Sequence, residues 1–272
     1  MKAAVTVSLV PEAKPGPFVY WDDLDLAFAA AAKEGFDAVE IFPPNAAAVS
    51  PVRVRELMNR HGLAVAAVGT GAGWVKHKLR MTDPDPAVRR QAREFISGIV
   101  DIAGQLGAPA IIGSMQGRFA DGVTREQALD WLATELTWLA ERALGQGQAL
   151  LYEPLNRYET NLLNRAADAA AFLDERGLTN VKLLCDLFHM NIEEADIAAT
   201  LRAVVPRLGH IHFADSNRQA IGLGHTNMAP LVVALREIGY NGYLSAEVFP
   251  YPDSATAASQ TMSSFRKWFG PA

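Results

Sequence analysis

Two textures alternate along the chain. Short aliphatic or β-branched runs read as strands at Ala3–Leu9, Ala38–Phe42, Ala64–Gly69, Ala110–Gly113, Leu150–Glu153, Lys182–Asp186, His210–Ala214 and Tyr243–Glu247. Several are nearly continuous apolar stretches, such as Ile111-Ile112 and Leu183-Leu184, the pattern of strands covered on both faces. Between them lie amphipathic helix patterns at Leu24–Glu34, Pro86–Leu106, Thr124–Leu144, Ala166–Arg176 and Leu231–Ile238. The third opens on Thr124-Arg-Glu-Gln127, the spacing of a capping box. Glycines at 35, 107, 177 and 239 close four of these helices, where a left-handed residue lets the chain turn into the next strand.

Strands alternating with helices predict a parallel sheet built by right-handed crossovers. An open nucleotide-binding sheet would carry G-x-G-x-x-G at its first turn. The nearest text, Gly69-Thr-Gly71-Ala-Gly73, follows the third strand, has the wrong spacing, and has no helix pattern directly behind it. Eight strand runs without a linker or low-complexity break therefore predict an α/β fold of (β/α)8 TIM-barrel type, as one domain over residues 1–272.

Composition narrows the function classes. The chain is half hydrophobic and one-fifth charged, enough for a large core. Its net charge of −5 argues against a general nucleic-acid binder. A single cysteine cannot form an internal disulfide. Met1–Val10 lacks the basic start and long apolar stretch of a signal peptide, and no apolar run approaches the ~20 residues of a membrane span. The expectation is a cytoplasmic protein with no membrane partner. Oligomeric state is not legible: Trp131 and Trp138 would suit a homo-oligomer face or the core equally.

In a barrel, chemistry gathers at the C-terminal ends of the strands. Glu153, Asp186, His212 and Glu247 sit at or near the ends of the last four strand runs, which are neighbours on the rim. A charge at the end of an apolar strand is costly unless paired or bound to a cation. One such residue reads as a structural ion pair, but four read as a divalent-metal site. Three carboxylates and one imidazole form an oxygen-rich set suited to Mn²⁺, Mg²⁺ or Co²⁺. Cys185, next to Asp186, points to the opposite face and reads as a core thiol. His189, Arg218 and Glu159 lie just beyond these strands, in position to serve the same site. His61, His77 and His210 read as structural. His225, in Gly222-Leu-Gly224-His225, is placed near the mouth with its role open.

At these residues the sequence resembles the sugar isomerases and epimerases of the xylose-isomerase-like barrel type. It is most similar to the D-tagatose 3-epimerase group and, within it, to the 5-keto-L-gluconate epimerase branch. The carrying motifs are Ala-Val-Gly69-Thr-Gly71, Ile-Ile-Gly113 with Gly117-Arg118, Glu153-Pro-Leu-Asn-Arg-Tyr-Glu159, Asp186-Leu-Phe-His189-Met-Asn-Ile-Glu-Glu194, His212-Phe-Ala-Asp-Ser-Asn-Arg218 and Glu247. The spacings of 33, 26 and 35 residues between Glu153, Asp186, His212 and Glu247 match that group. The resemblance implies that these four bind one metal, usually manganese. It implies that Glu153 and Glu247 are the acid/base pair and that Glu159, His189 and Arg218 hold substrate oxygens. Endonuclease IV shares the fold, but its additional histidine ligands are not evident.

Such a set supports proton removal next to a ketone through a metal-stabilised cis-enediolate. A carboxylate on each face inverts the carbon, whereas return of the proton to the adjacent carbon isomerises ketose to aldose. The expected protein is a ketose or keto-acid 3-epimerase acting on a small-molecule sugar or keto-acid. The alternatives are an isomerase such as hydroxypyruvate isomerase, an inosose-type dehydratase and a non-catalytic sugar-binding barrel. Arg118, Arg157, Lys76 and Arg218 would give the mouth positive charge suited to a keto-acid, unless salt bridges use up the first three.

Overall fold

The computed structural model describes residues 1–120 and 122–270. Its strands are β1 (Lys2–Ser8), β2 (Tyr20–Trp21), β3 (Ala38–Phe42), β4 (Ala64–Gly69), β5 (Ala110–Ile112), β6 (Leu150–Tyr152), β7 (Val181–Asp186), β8 (Leu208–His212) and β9 (Tyr243–Ala246). All pair in parallel, in the order β1-β3-β4-β5-β6-β7-β8-β9, and β9 pairs back onto β1 through Lys2↔Tyr243 to Val5↔Ala246. This is the closed eight-stranded barrel that the alternation predicts. The two-residue β2 is an addition, lying beside the end of β1.

The helices are α1 (Leu24–Glu34), α2 (Pro51–His61), α3 (Ala72–His77), α4 (Pro86–Gln105), α5 (Arg125–Gly145), α6 (Ala166–Glu175), α7 (Leu187–Glu193), α8 (Ile197–Ala203), α9 (Met228–Glu237) and α10 (Ser254–Phe269). Local chemistry starts and stops them. The Thr124 side chain accepts from the Gln127 amide at 3.1 Å, so the predicted cap of α5 is present. Gly35 and Gly107, at φ of 90° and 71°, take the left-handed turn out of α1 and α4.

Five helices, α2, α3, α7, α8 and α10, have no counterpart in the pattern reading. α3, α7 and α8 span two turns or less, too short for a 3.6-residue period to emerge. One of them corrects an expectation, because α3 opens directly behind Gly69-Thr-Gly71. Gly73 within it is pressed against Met115, where a Cβ would come within 2.4 Å of the sulfur, so the glycine there serves packing. Strand ends shift by one or two residues from the expected bounds, leaving Glu153 and Glu247 just beyond β6 and β9.

Strand side chains alternate between two layers. The outward set, including Val5, Val7, Val39, Ile41, Ile112, Leu183, Cys185, Ile211 and Leu244, forms one buried cluster with Phe28, Leu57, Ile96, Ile99, Leu132, Leu136 and Leu235 of the helices. Each such Leu or Ile contributes about 1.5–3 kcal/mol by leaving water. The inward set is small at one level, with Ala4, Ala38 and Ala66, and larger at another, with Phe42, Ile111, Leu151 and Leu184. Polar side chains also point inward: Thr6, Glu40, His210, His212 and Ser245 are all essentially inaccessible. Among the described residues no helix is long and apolar enough to cross a membrane.

Candidate metal centre and cavity

The ends of β6 to β9 deliver Glu153, Asp186, His212 and Glu247 to one point. One potential ligand atom from each lies within 4.8 Å of every other. His212 Nδ1 stands 3.5 Å from Glu153 Oε1, 3.7 Å from Asp186 Oδ2 and 3.7 Å from Glu247 Oε2. All four residues are buried. Glu153 Oε1, Asp186 Oδ2 and His212 Nδ1 have no hydrogen-bond partner. Three buried polar atoms left unsatisfied and facing one another are expensive, and a divalent cation among them satisfies all three. The donor set, oxygen-rich with one imidazole, fits such an ion.

The surroundings orient these side chains. Asp186 closes β7 and caps α7, its Oδ1 accepting from the Phe188 amide at 2.8 Å, which turns Oδ2 toward the cluster. His212 donates Nε2–H to Glu40 Oε1 at 2.9 Å, and His210 donates Nε2–H to Glu40 Oε2 at 2.7 Å. Burial works against charge on Glu40, but His212 and His210 outweigh it and hold the carboxyl below the usual range. The backbone of Glu153 is fixed from behind, where Gln116 Nε2 donates to the carbonyls of Gly113 and Glu153, both at 3.0 Å. Tyr152 donates its hydroxyl to Gln116 Oε1 at 2.5 Å.

The three further residues singled out in the sequence converge on the same place. His189 accepts from Asn156 Nδ2 at Nδ1, 2.7 Å away, so its proton sits on Nε2. That nitrogen has no partner and lies 3.6 Å from Asp186 Oδ2 and 3.8 Å from Glu153 Oε1. Arg218 Nη2 donates to Glu247 Oε2 at 2.5 Å, and its Nη1 reaches Glu159 Oε1 at 3.4 Å. Its guanidinium lies over the Phe188 ring, 4.8 Å from the centroid. The Arg218 backbone takes φ +58°, pinned by its own amide to Asp215 and by Phe249 to its carbonyl, both at 2.8 Å. Glu159 is held by Asn156 Nδ2 at 3.2 Å.

The electrostatics follow from this crowding. Burial, aided by Glu247 and Asp186, pushes the Glu153 carboxyl up to about 8 despite His212 beside it. Burial also lowers His189 to about 4, leaving it neutral near pH 7. His212 is raised well above its ordinary value, because Glu40 and Glu247 outweigh its desolvation. Burial raises Glu159 as well.

Glu153 and Glu247 of the cluster border a cavity of about 560 Å³ at the barrel mouth. Glu153, Glu159, Arg218 and Glu247 line it, as do the apolar side chains of Phe18, Phe42 and Trp74. Of the cations expected at the mouth, Lys76 pairs with Glu12 at 3.1 Å and Arg157 with Glu193 at 2.9 Å, while Arg118 lines the cavity together with Arg80. His225 corrects its expectation: it borders a separate surface depression rather than the mouth. His61 ends α2, His77 packs on Phe95, and Cys185 is a buried free thiol. Trp131 and Trp138 lie under arginines, Arg89 on the first and Arg93 and Arg142 on the second. The pattern reading missed the roles of Asn156, Gln116 and above all Glu40. A glutamate inside Val39-Glu40-Ile41 was the only signal for the last.

Comparison with known proteins places the chain in context. The family model for the xylose isomerase-like TIM barrel matches residues 28–268. The chain is 31% identical over 227 residues to an L-ribulose 3-epimerase of Methylomonas sp. (strain DH-1), covering 82% of this chain and 77% of that protein. It is 30% identical over 243 residues to a D-psicose 3-epimerase of Ruminiclostridium cellulolyticum, covering 85% and 82% respectively. In three dimensions it matches the crystal structure of D-allulose 3-epimerase from Methylomonas sp. with a TM-score of 0.82 at 24% identity, over 98% of both chains, a likeness of fold.

Proposed function

The chain belongs to the xylose isomerase-like TIM-barrel family, and from that premise we propose that it is a divalent-metal-dependent epimerase of the ketose 3-epimerase type. Glu153, Asp186, His212 and Glu247 hold the ion, Mn²⁺ by preference with Co²⁺ or Mg²⁺ able to replace it. Glu153 and Glu247 move the proton, and Glu159, His189 and Arg218 hold substrate oxygens. One observation carries the reading. Three unsatisfied ligand atoms face one point, and a glutamate from β6 and another from β9 flank it, with β7 and β8 between them.

A divalent ion bound there would polarise a ketone oxygen and offset the negative charge that develops on it. The rest falls to the chain. Removing a proton from carbon next to a ketone needs a base at hydrogen-bond distance, and inversion needs a second acid on the opposite face. Glu153 and Glu247 supply that pair. Arg218, touching Glu247 at 2.5 Å, keeps this carboxylate aimed. The free Nε2–H of neutral His189 donates to a substrate oxygen, a bond that strengthens as the oxygen gains charge. The apolar wall of Phe18, Phe42 and Trp74 shields the site from water.

The relatives named as L-ribulose and D-psicose 3-epimerases support a ketose substrate. A carboxylate on that ketose is favoured by Arg118 in the cavity wall, whereas Arg80 beside it is paired with Asp83 at 2.8 Å. The test is incubation of Mn²⁺-loaded protein in D₂O with D-fructose, D-psicose, D-tagatose, L-ribulose, ketohexonates and hydroxypyruvate, followed by NMR. Deuterium at C3 of a ketose with formation of its C3 epimer supports the reading. Exchange at C1 with an aldose product assigns isomerisation, and absence of exchange on every substrate overturns the proposal.

A further inference from the structure

Glu40 lies 172 positions from His212 in sequence yet touches it inside the barrel. The side chain is completely buried, and both carboxylate oxygens are spent on imidazoles, Oε1 on His212 Nε2 and Oε2 on His210 Nε2. β3 and β8 are not paired, since β9 and β1 lie between them in the closed order, so this contact crosses the interior rather than following a strand pair. A buried ionised carboxylate only accepts hydrogen bonds. Each imidazole must therefore carry a proton at Nε2, which leaves His212 Nδ1 as the nitrogen facing Glu153, Asp186 and Glu247.

We propose that Glu40 is the positioning residue of the metal centre, fixing His212 as the Nε2–H tautomer so that Nδ1 is presented to the cation, with His210 anchoring the second oxygen. This rests on the metal assignment made above and adds the device that prepares it. Rotation of the His212 ring would break the 2.9 Å bond and leave a buried carboxylate oxygen unpaired, so the orientation is set before metal arrives. His210 is needed for the same reason. Its 2.7 Å bond stops the carboxylate from turning and prevents Glu40 from using both oxygens on His212. The sequence spacing agrees, because residues 210 and 212 of one strand share a face, placing both imidazoles over one carboxylate.

The experiment compares the full-length unsubstituted protein with Glu40→Gln. Zn²⁺, being diamagnetic, is the probe. Histidine ¹⁵N NMR of the zinc-loaded unsubstituted protein reads the tautomers, calorimetric titration of metal-free protein with Zn²⁺ and Mn²⁺ reads affinity, and melting of metal-free protein reads the fold. The expected result is a proton on Nε2 of both His210 and His212, with the zinc-induced shift confined to Nδ1 of His212. Glu40→Gln should bind metal about 10–100-fold more weakly, while its metal-free melting temperature stays within a few degrees. An unprotonated His212 Nε2 overturns the proposal even if the variant does not fold. So does unchanged metal affinity in folded Glu40→Gln, or a second ion bound between Glu40 and His210. Failure of the unsubstituted protein to bind metal overturns the metal assignment and this inference together, whereas metal binding indifferent to Glu40→Gln overturns this inference alone.

Discussion

Glu153 Oε2 occupies the space beside Gly113 that a side chain would need: a Cβ on Gly113 would sit 2.6 Å from it. The glycine φ is −107°, outside the left-handed region. Gly113→Ala should push the carboxylate away from the cluster while leaving the barrel core untouched. A displacement of about 1 Å is enough to cost ~10²-fold in a reaction that depends on orientation. We expect turnover and Mn²⁺ affinity to fall together, with the metal-free melting temperature little changed. Turnover equal to that of the unsubstituted protein would mean that Glu153 does not act from its observed position.

The two glutamates are distinguishable from ordinary ligands by isotope exchange. Glu153→Gln and Glu247→Gln should each lower epimerisation by more than the ~10²–10⁴-fold usual for a lost general acid or base, since each also weakens metal binding. In D₂O the unsubstituted enzyme should place deuterium on the inverted carbon. A single variant that still folds and holds metal is expected to exchange the proton of one epimer without inverting it. Product that retains all its original hydrogen would exclude a two-base scheme.

What the sequence made legible divides along physical lines. The strand-end acids Glu153, Asp186 and Glu247 stood out because a charged residue closing an apolar run conflicts with its surroundings, and the structure brings their ligand atoms together with His212. Helices with long amphipathic periods, α4 and α5, were equally visible. α3, α7 and α8 were not, because two turns or less leave too few apolar positions to define a face. The partners of Glu40 stayed hidden for a different reason. They come from β8, across the barrel, and no local pattern encodes a contact between residues 40 and 212. His225 borders a different depression because its loop is tied back on residues 215–216, the His225 amide donating to Ser216 Oγ at 3.0 Å and that of Thr226 to Asp215 Oδ1 at 2.9 Å.

Arg218 and His189 should affect catalysis without emptying the metal centre. Arg218 spends one nitrogen on Glu247 and another on Glu159, a fork that lysine cannot reproduce. Arg218→Lys is therefore expected to lower kcat/KM by one to two orders of magnitude, roughly the value of one or two charge-assisted hydrogen bonds. His189→Ala should do the same through the loss of its Nε2 donor. Elemental analysis of the purified variants should return one metal per chain in both. Loss of the ion from either would move that residue among the ligands.

Metal binding should release protons, and the structure fixes the direction of its pH dependence. Without metal, Glu153 holds its proton up to about pH 8, because burial and the neighbouring carboxylates oppose its charge. His212 is also raised, so both proposed ligands would have to shed protons before coordinating an ion. Apparent Mn²⁺ affinity should therefore rise as pH increases from 6 to 8. Calorimetry in buffers of different ionisation enthalpy should read a net proton release at pH 7. The same shift acts on the metal-free fold. Glu153 binds a proton more tightly when folded than when unfolded, so between the ordinary glutamate value near 4.3 and about 8 the folded state carries more protons. Its contribution to stability is complete below that window and is lost as pH rises through it. Melting of the metal-free protein should accordingly drop from pH 5 to pH 8 relative to Glu153→Gln, which carries no such proton. Saturating Mn²⁺ should reverse the trend, because the ion replaces the proton and binds better as pH rises. Parallel melting profiles for the unsubstituted protein and Glu153→Gln across this range would show that Glu153 is ionised in the empty site and that the raised value is wrong.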